Sequence, residues 1–341
     1  MALSSLVYSL LIPADYCYPL GMKIALLGYG NVGKAFAELL LSKRHTYPFS
    51  IVGIHTANHG SAFNSRGLGL APEFGPKVPT VAKFLERAQP SVLIEITTLN
   101  PESGEPAISH IRTAFSKKLH VITANKGPIA HAFRELQDEA QRAGVEFRFE
   151  STVMDGTPVF NQFRNNLPGV KVLGFSGVLN STSKVVVGAM ARGLSLEDGV
   201  REAQAMGVAE ADASLDVDGW DSAAKAAALA NVLMDARMKP QDVERAGLRS
   251  FSAERIVELA REGKTVLIVS RAEQTRNGVR LAARAEVVPE TDLLAMARGT
   301  SNLLLFHTDL LGTLGTISIN PGVQQTAYGL FSDLVDVARS V

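Results

Sequence analysis

One cysteine in 341 residues, Cys17, excludes an intramolecular disulfide and a cysteine-based zinc site, and it points to a reducing compartment, the cytoplasm by default. An excess of either charge is missing as well. With 34 Lys+Arg against 34 Asp+Glu the formal net charge is zero, so there is no basic footprint for a nucleic-acid backbone. No apolar run approaches the roughly 20 residues that span a bilayer. The apolar run at 6–12 has no Lys or Arg before it, so a signal peptide is not expected either. The chain has no low-complexity tract and no repeat at a solenoid period. What is present is 46% hydrophobic residues, 20% charged residues, 6% aromatic residues and 29 glycines. That is the composition of a soluble globular protein, long enough for two or three domains.

Residues 1–21 read as an N-terminal extension, because Met22 stands directly before a buried-strand pattern and looks like the functional start. From there strand and helix alternate: Lys23–Leu27 as a strand, 34–44 as a helix, 50–54 as a strand, and Val81–Ala88 as a helix. They continue with 92–96 as a strand, a helix after Pro106, His120–Thr123 as a strand, 130–143 as a helix and 145–149 as a strand. This rhythm predicts an α/β fold with a Rossmann-type, doubly wound parallel sheet over 22–150. Beyond 150 the spacing becomes irregular. Helices are predicted near 181–206 and 219–236, strands over 265–271, 278–287 and 302–319, and a helix over 325–339, which makes a second region of α+β type.

Gly28-Tyr29-Gly30-Asn31-Val32-Gly33 places a G-x-G-x-x-G between the first strand and the first helix. The bare pattern is common, and its position carries the meaning. The first glycine permits the tight turn, the second lets a pyrophosphate approach the backbone, and the third lets helix and strand pack closely. An acidic residue at the end of the second strand would bind a free ribose 2′-hydroxyl. Here the chain reads His55-Thr56-Ala57-Asn58-His59-Gly60, with Arg66 beyond, so donors replace the carboxylate and NADP is expected over NAD.

Glu210, Asp212, Asp216, Asp218 and Asp221 crowd into twelve residues. An EF-hand is excluded, because Trp220 stands where an oxygen ligand belongs and position twelve has no glutamate. No zinc site is expected from the seven histidines. Asp221 and Lys225, four apart at the start of an Ala-rich helical segment, can meet on one face. The pair reads equally as a surface ion pair or as a proton-transfer pair, in which burial among alanines would pull the Lys225 pKa down.

From about Met22 onward the chain resembles the homoserine dehydrogenase family. The resemblance is carried by Glu95-Ile-Thr97-Thr98 with Ser103-Gly104-Glu105-Pro106, by Thr123-Ala-Asn125-Lys126-Gly-Pro, and by Gly177-Val-Leu-Asn180-Ser-Thr182. Its most specific part is Gly207-Val-Ala-Glu210-Ala-Asp212, continuing through Asp216, Gly219 and Asp221 to Lys225. The resemblance implies reversible NAD(P)H-dependent reduction of L-aspartate 4-semialdehyde to L-homoserine, in the pathway to threonine, methionine and isoleucine. It implies Lys225 as the proton-transfer residue, Asp221 as its partner at the substrate, and Glu210 as the carboxylate for the substrate ammonium. Lys126, Thr97 and Thr98 would lie beside the nicotinamide, and Gly322 belongs to the C-terminal turn at the coenzyme.

The resemblance further implies a monovalent cation, sodium or potassium, at Glu150, Val153, Asp155 and Thr157. It implies a catalytic and dimerisation region over 151–319, a coenzyme domain completed by 320–341, and a homodimer. The chain ends directly after the 325–339 helix, so a regulatory domain with threonine feedback is not expected. Three stretches depart from the family pattern: Met154-Asp155-Gly156, Asn180-Ser181-Thr182-Ser183-Lys184, and Asn320-Pro-Gly322-Val-Gln-Gln-Thr326. A phosphorylating aldehyde dehydrogenase would need a thiol nucleophile, and Cys17 lies in the extension, so that class is excluded. The alternatives are a related dehydrogenase acting on another small amino acid and a non-enzymatic nucleotide sensor.

Overall fold

A computed structural model describes residues 21–209 and 212–341. Two six-stranded sheets organise them. The first contains β1 (Lys23–Leu27), β2 (Ser50–Thr56), β3 (Gly60–Phe63), β4 (Val92–Glu95), β5 (His120–Thr123) and β6 (Phe147–Arg148), in the order β3-β2-β1-β4-β5-β6. All of its pairings are parallel except β2 with β3. The strand order reverses at β1, whose neighbours are β2 and β4, and a ligand site is expected outside the carboxyl ends of β1 and β4.

Helices cover both faces of this sheet. Ile24, Leu26 and Ile94 point into a core shared with Phe36 and Leu40 of α1 (Asn31–Ser42) and with Ala327, Leu330 and Leu334 of α10 (Val323–Ser340). The opposite side chains, Ala25, Leu27 and Leu93, meet Phe84 and Leu85 of α2 (Val81–Ala88), Ile111 of α3 (Ala107–Ser116) and Leu136 of α4 (Lys126–Ala143). The α4 helix begins four residues before the predicted 130. The Asn125 side chain caps Gly127 N–H at 3.0 Å, and Pro128 falls in the first turn, where its missing N–H costs nothing. Lys126 thereby becomes the first residue of the helix.

The second region starts with β7 (Val172–Val178), α5 (Ser181–Ala191), α6 (Leu196–Ala205), the short α7 (Ser214–Val217) and α8 (Trp220–Met234). It continues with β8 (Glu244–Ala246), α9 (Ala253–Arg261), β9 (Lys264–Thr275), β10 (Gly278–Pro289), β11 (Asn302–Thr308) and β12 (Gly312–Ser318). Its sheet runs β12-β11-β7-β9-β10-β8 and is antiparallel except for β8 against β10. The predicted strand at 302–319 is in fact the hairpin β11–β12, turning at 309–311. The α8 helix is alanine-rich because it is buried on nearly every side, with Ala223, Ala224, Ala226, Ala227, Ala228 and Ala230 all in the core. Small side chains let it lie close to both α4 and the second sheet, and it carries Asp221 and Lys225 between the two regions. Among the described residues no helix is long and apolar enough to cross a membrane.

Candidate active site

The glycine motif closes the first strand. Gly28 holds φ of +100°, and a Cβ there would meet the Ile96 carbonyl oxygen at 2.4 Å, so both backbone and space demand glycine. A Cβ on Gly33 would meet Ile96 Cδ1 at 3.1 Å, the close packing expected of the third glycine. Gly30 is different. Its φ is −80°, and nothing lies within 4 Å of where its Cβ would be, so neither strain nor packing requires glycine there. Open space at that point admits a pyrophosphate against the backbone. No side chain caps α1 and no acidic residue occupies its first turn, which leaves the N–H groups of Asn31, Val32 and Gly33 for an anion.

Gly28 and Gly30 open onto a cleft of about 540 Å³ lined also by His55, Thr56, Asn58, His59, Lys77, Thr97, Thr98 and His110. Three of the predicted coenzyme contacts have the following places in the structure. Thr56 lines the cleft, and its hydroxyl belongs to the β2–β3 turn, where it accepts from His59 N–H at 2.8 Å and donates to the Gly60 carbonyl at 3.4 Å. Arg66 is exposed beyond β3 and does not line the cleft; the cation that does is Lys77, whose Nζ donates to the Ala57 carbonyl at 3.4 Å. Gly322 lies before α10, where its N–H donates to Gln325 Oε1 at 2.9 Å, and it too is absent from the cleft lining. His55 and His59 stand four apart, and His55 Nδ1 is 2.8 Å from Ser61 Oγ. Burial, with Lys77 and His110 nearby, keeps the His55 pKa below its ordinary value.

Glu95, fully buried at the end of β4, ties the floor together. It accepts from the Thr97 hydroxyl, from Thr97 N–H at 3.3 Å and from the Thr123 hydroxyl at 3.3 Å. Asn125 Nδ2 donates to the Thr97 carbonyl at 3.3 Å, so the loops after β4 and β5 are fixed to each other.

Thr98 lines this cleft and also a second one, of about 320 Å³, so the two meet there. The second cleft is walled by Lys126, Asn180, Thr182, Asp212, Asp216, Trp220, Asp221 and Lys225. Asp221 is its centre: Oδ1 is 2.9 Å from Lys126 Nζ and Oδ2 is 3.0 Å from Lys225 Nζ. Lys225 also donates to the Leu179 carbonyl at 2.6 Å. Burial opposes ionisation of Asp221, but the ammonium groups of Lys126 and Lys225 outweigh it and hold the carboxyl well below the usual carboxylate range.

The expectation for Lys225 reverses. Burial does pull its pKa down, but Asp221, Asp155 and Asp216 overcome that and hold it above the ordinary lysine value, so the group is an ammonium. The sequence showed Asp221 beside Lys225 but not Asp155, which folding brings from another loop. Sequence reasoning also missed the task of Asn180, although its place at the N-cap of α5 was a signal. Its Oδ1 accepts from Ser183 N–H at 2.8 Å, while Nδ2 donates to Asp216 at 2.5 Å and to Asp221 at 2.9 Å. Glu210 lies outside the described residues.

Of the predicted cation ligands, Glu150 is buried with Oε1 accepting from Val159 and Phe160 N–H (2.6 and 2.9 Å) and Oε2 from Asn161 N–H at 2.6 Å. Burial and the neighbouring Asp333 push its pKa up to about 7. Asp155 has one oxygen engaged by the Thr326 hydroxyl at 3.1 Å. Among the described residues no group of three or more His, Cys, Asp or Glu could hold a metal ion. An ion here would rest on the remaining lone pair of Glu150 Oε2 and on backbone carbonyls, a donor set of low charge that suits a monovalent ion.

Comparison with known proteins agrees with this geometry. Residues 28–150 match the family model described as homoserine dehydrogenase, NAD binding domain, and residues 158–335 match the model described as homoserine dehydrogenase. The chain is 32% identical to the homoserine dehydrogenase of Methanocaldococcus jannaschii, over 94% of this chain and 99% of the relative. It is likewise 32% identical to an NAD(+)-dependent homoserine dehydrogenase of Pseudomonas canavaninivorans, over 93% and 96%. The solved structure of a hyperthermophilic archaeal homoserine dehydrogenase mutant, in complex with NADPH, superposes with a TM-score of 0.80 at 25% identity, covering 94% of this chain and 99% of that one. A dinucleotide cleft that opens onto a lysine–aspartate–lysine cluster is thus the meeting point of an NAD(P)-dependent oxidoreductase of aspartate-family amino-acid biosynthesis, and the chain belongs to the homoserine dehydrogenase family.

Proposed function

We propose that Lys225 is the acid that protonates the carbonyl oxygen of L-aspartate 4-semialdehyde, with Asp221 and Lys126 holding it in place. The observation that supports this reading is the Lys126–Asp221–Lys225 cluster standing where the two clefts share Thr98. A bound nicotinamide supplies the hydride. The chain supplies the charge: an ammonium at Lys225 stabilises the developing alkoxide and then donates its proton, and the neutral amine takes the hydroxyl proton in the reverse direction. An ammonium has three N–H bonds, and Asp221 and Leu179 account for two, which leaves one for the substrate oxygen. Lys126, at the positive end of α4, keeps Asp221 ionised beside it. Glu210 is assigned to the substrate ammonium, and Glu150 with the carbonyls of Val153, Asp155 and Thr157 to a sodium or potassium ion. Steady-state turnover of homoserine by the purified protein tests the whole reading, and no turnover with either coenzyme would sink it.

The coenzyme is read as NADP in preference to NAD. Lys77 beside the exposed Asn58 and His59 offers donors to a 2′-phosphate, and no carboxylate lines the cleft at that end. Thr56→Asp should reverse the preference. An aspartate can still accept from His59 N–H, as the threonine does, and it adds a charge that repels a phosphate. Titrating NADP and NAD into wild type and variant is the check: tighter NAD binding by the wild type, or an unchanged ratio in the variant, overturns this assignment.

The working form is read as a cytoplasmic homodimer built through the second sheet. Leu173 and Ile317 are exposed on it, and β12 is an edge strand. Light scattering at micromolar concentration should give twice the 36.4 kDa chain mass, and a monomer mass contradicts the assignment.

A further inference from the structure

Besides Lys126, two residues directly after β7 hold Lys225 and Asp221. Leu179 supplies the carbonyl that accepts from Lys225, and Asn180 supplies the amide that grips Asp221 and Asp216. What fixes residues 179–180 is the first turn of α5, and that turn is tied down at two points. Ser181 Oγ donates to the Thr300 carbonyl at 2.9 Å, while Lys184 Nζ donates to the Ser301 carbonyl at 2.6 Å and to Asn302 Oδ1 at 3.2 Å. The segment receiving these bonds is anchored in turn to Asn320. Its Oδ1 accepts from Thr300 and Ser301 (3.3 and 3.4 Å), and its N–H donates to Ser301 Oγ at 3.1 Å. Asn320 leads into the Gly322 turn and α10, the helix that packs on α1 of the coenzyme domain.

Lys184 is a costly choice for this position. It is 7% exposed, sits in the first turn of a helix where the dipole disfavours a cation, and has only a carbonyl and an amide oxygen as partners. The charged groups that act on it are Lys225 from α8 and Asp155 from the 151–157 loop, and Glu290 and Arg298 line the same small cavity. Burial, with Lys225 adding to it, brings its pKa down to about 7, and Asp155 only partly compensates. Packing alone would be served better by a methionine, which fills a similar volume with no charge to desolvate.

We infer that Lys184 is a positioning residue for the reaction: through Ser301 and Asn302 it locks the turn that aims Asn180 and Leu179, and so holds Asp221 and Lys225 in register with the coenzyme side. This rests on the reading of Lys225 and Asp221 as the reacting pair. Nothing in it requires Lys184 to touch substrate or coenzyme.

The test uses the full chain with Lys184→Met, Ser181→Ala and Lys225→Ala in parallel. Lys184→Met is expected to keep or raise the melting temperature at pH 7, since a buried ammonium is removed, while kcat falls about ten- to hundredfold from loosened geometry. The NADP dissociation constant should stay within about twofold of wild type. Ser181→Ala, which cuts the other tie without altering charge, should lower kcat in the same direction and by less. It also carries the test if the methionine variant does not fold. Unchanged kcat in both variants overturns the inference, and so does a fall in kcat that merely tracks a fall in melting temperature. Full turnover by Lys225→Ala would instead sink the reading of the reacting pair. Loss there with no effect of Lys184→Met rejects this inference alone.

Discussion

Lys225→Ala is expected to lower kcat by about 10²- to 10⁴-fold while leaving coenzyme affinity nearly unchanged. The size follows from what the ammonium does. It is the only lysine of the cluster anchored to both Asp221 and a backbone carbonyl, so its remaining N–H has a fixed direction, and on the proposed reading its charge faces the developing alkoxide. The fold should survive, because Lys126 still faces Asp221 at 2.9 Å and the aspartate is not left as an unpaired buried charge. Steady-state rates in both directions and a coenzyme titration check this, and a near-normal kcat would reduce Lys225 to an ion-pair partner.

Asp221→Asn should be as damaging at neutral pH, and its pH dependence distinguishes a catalytic effect from a structural one. In the wild type the carboxylates hold the Lys225 pKa above its ordinary value, with Asp221 the largest contributor. Without that charge, burial takes over and the pKa falls. The ammonium form persists only below the pKa, so semialdehyde reduction by the variant should fade as pH rises and recover as pH is lowered. Homoserine oxidation needs the neutral amine, and its rise with pH should move to lower pH than in the wild type. Opposite changes of the two pH profiles are the expected result. Uniform loss in both directions with neither profile displaced would mean that Asp221 only supports the fold. Breaking up this ion cluster is also expected to cost stability, about 3–5 kcal/mol, because two buried ammonium groups then share no carboxylate.

The sequence was most legible where local pattern and global role coincide. The turn at Gly28 and Gly33 could be read because glycine there answers to a backbone angle and a close packing distance, both of which spacing reveals. The Asp221–Lys225 contact could be read because helical periodicity alone brings the two side chains together. What stayed hidden depends on chain segments far apart in the sequence. Asp155 reaches Lys225 from the distant 151–157 loop, and its part in raising the lysine pKa was invisible in the alanine flanks. Lys77 enters the coenzyme cleft from the loop after β3, with no motif to mark it. The β3 strand itself, Gly-Ser-Ala-Phe, has weak strand propensity and exists because the Thr56 turn folds it back on β2. The β7 strand escaped notice for the same reason, since its two glycines break the apolar pattern even though β9 and β11 flank it on both sides.

The packing of α10 against α1 also sets the order in which this molecule can mature. Ile24, Leu26 and Ile94 are made early, but their covering side chains, Ala327, Leu330 and Leu334, belong to the helix that begins at residue 323. Ribosomes add about 5–20 residues per second, so roughly 10–35 s of synthesis separates the first sheet from the helix that closes its outer face. Throughout that interval Ile24, Leu26 and Ile94 lack the cover that α10 gives them. The dinucleotide half cannot finish before the catalytic half, and the two become competent together.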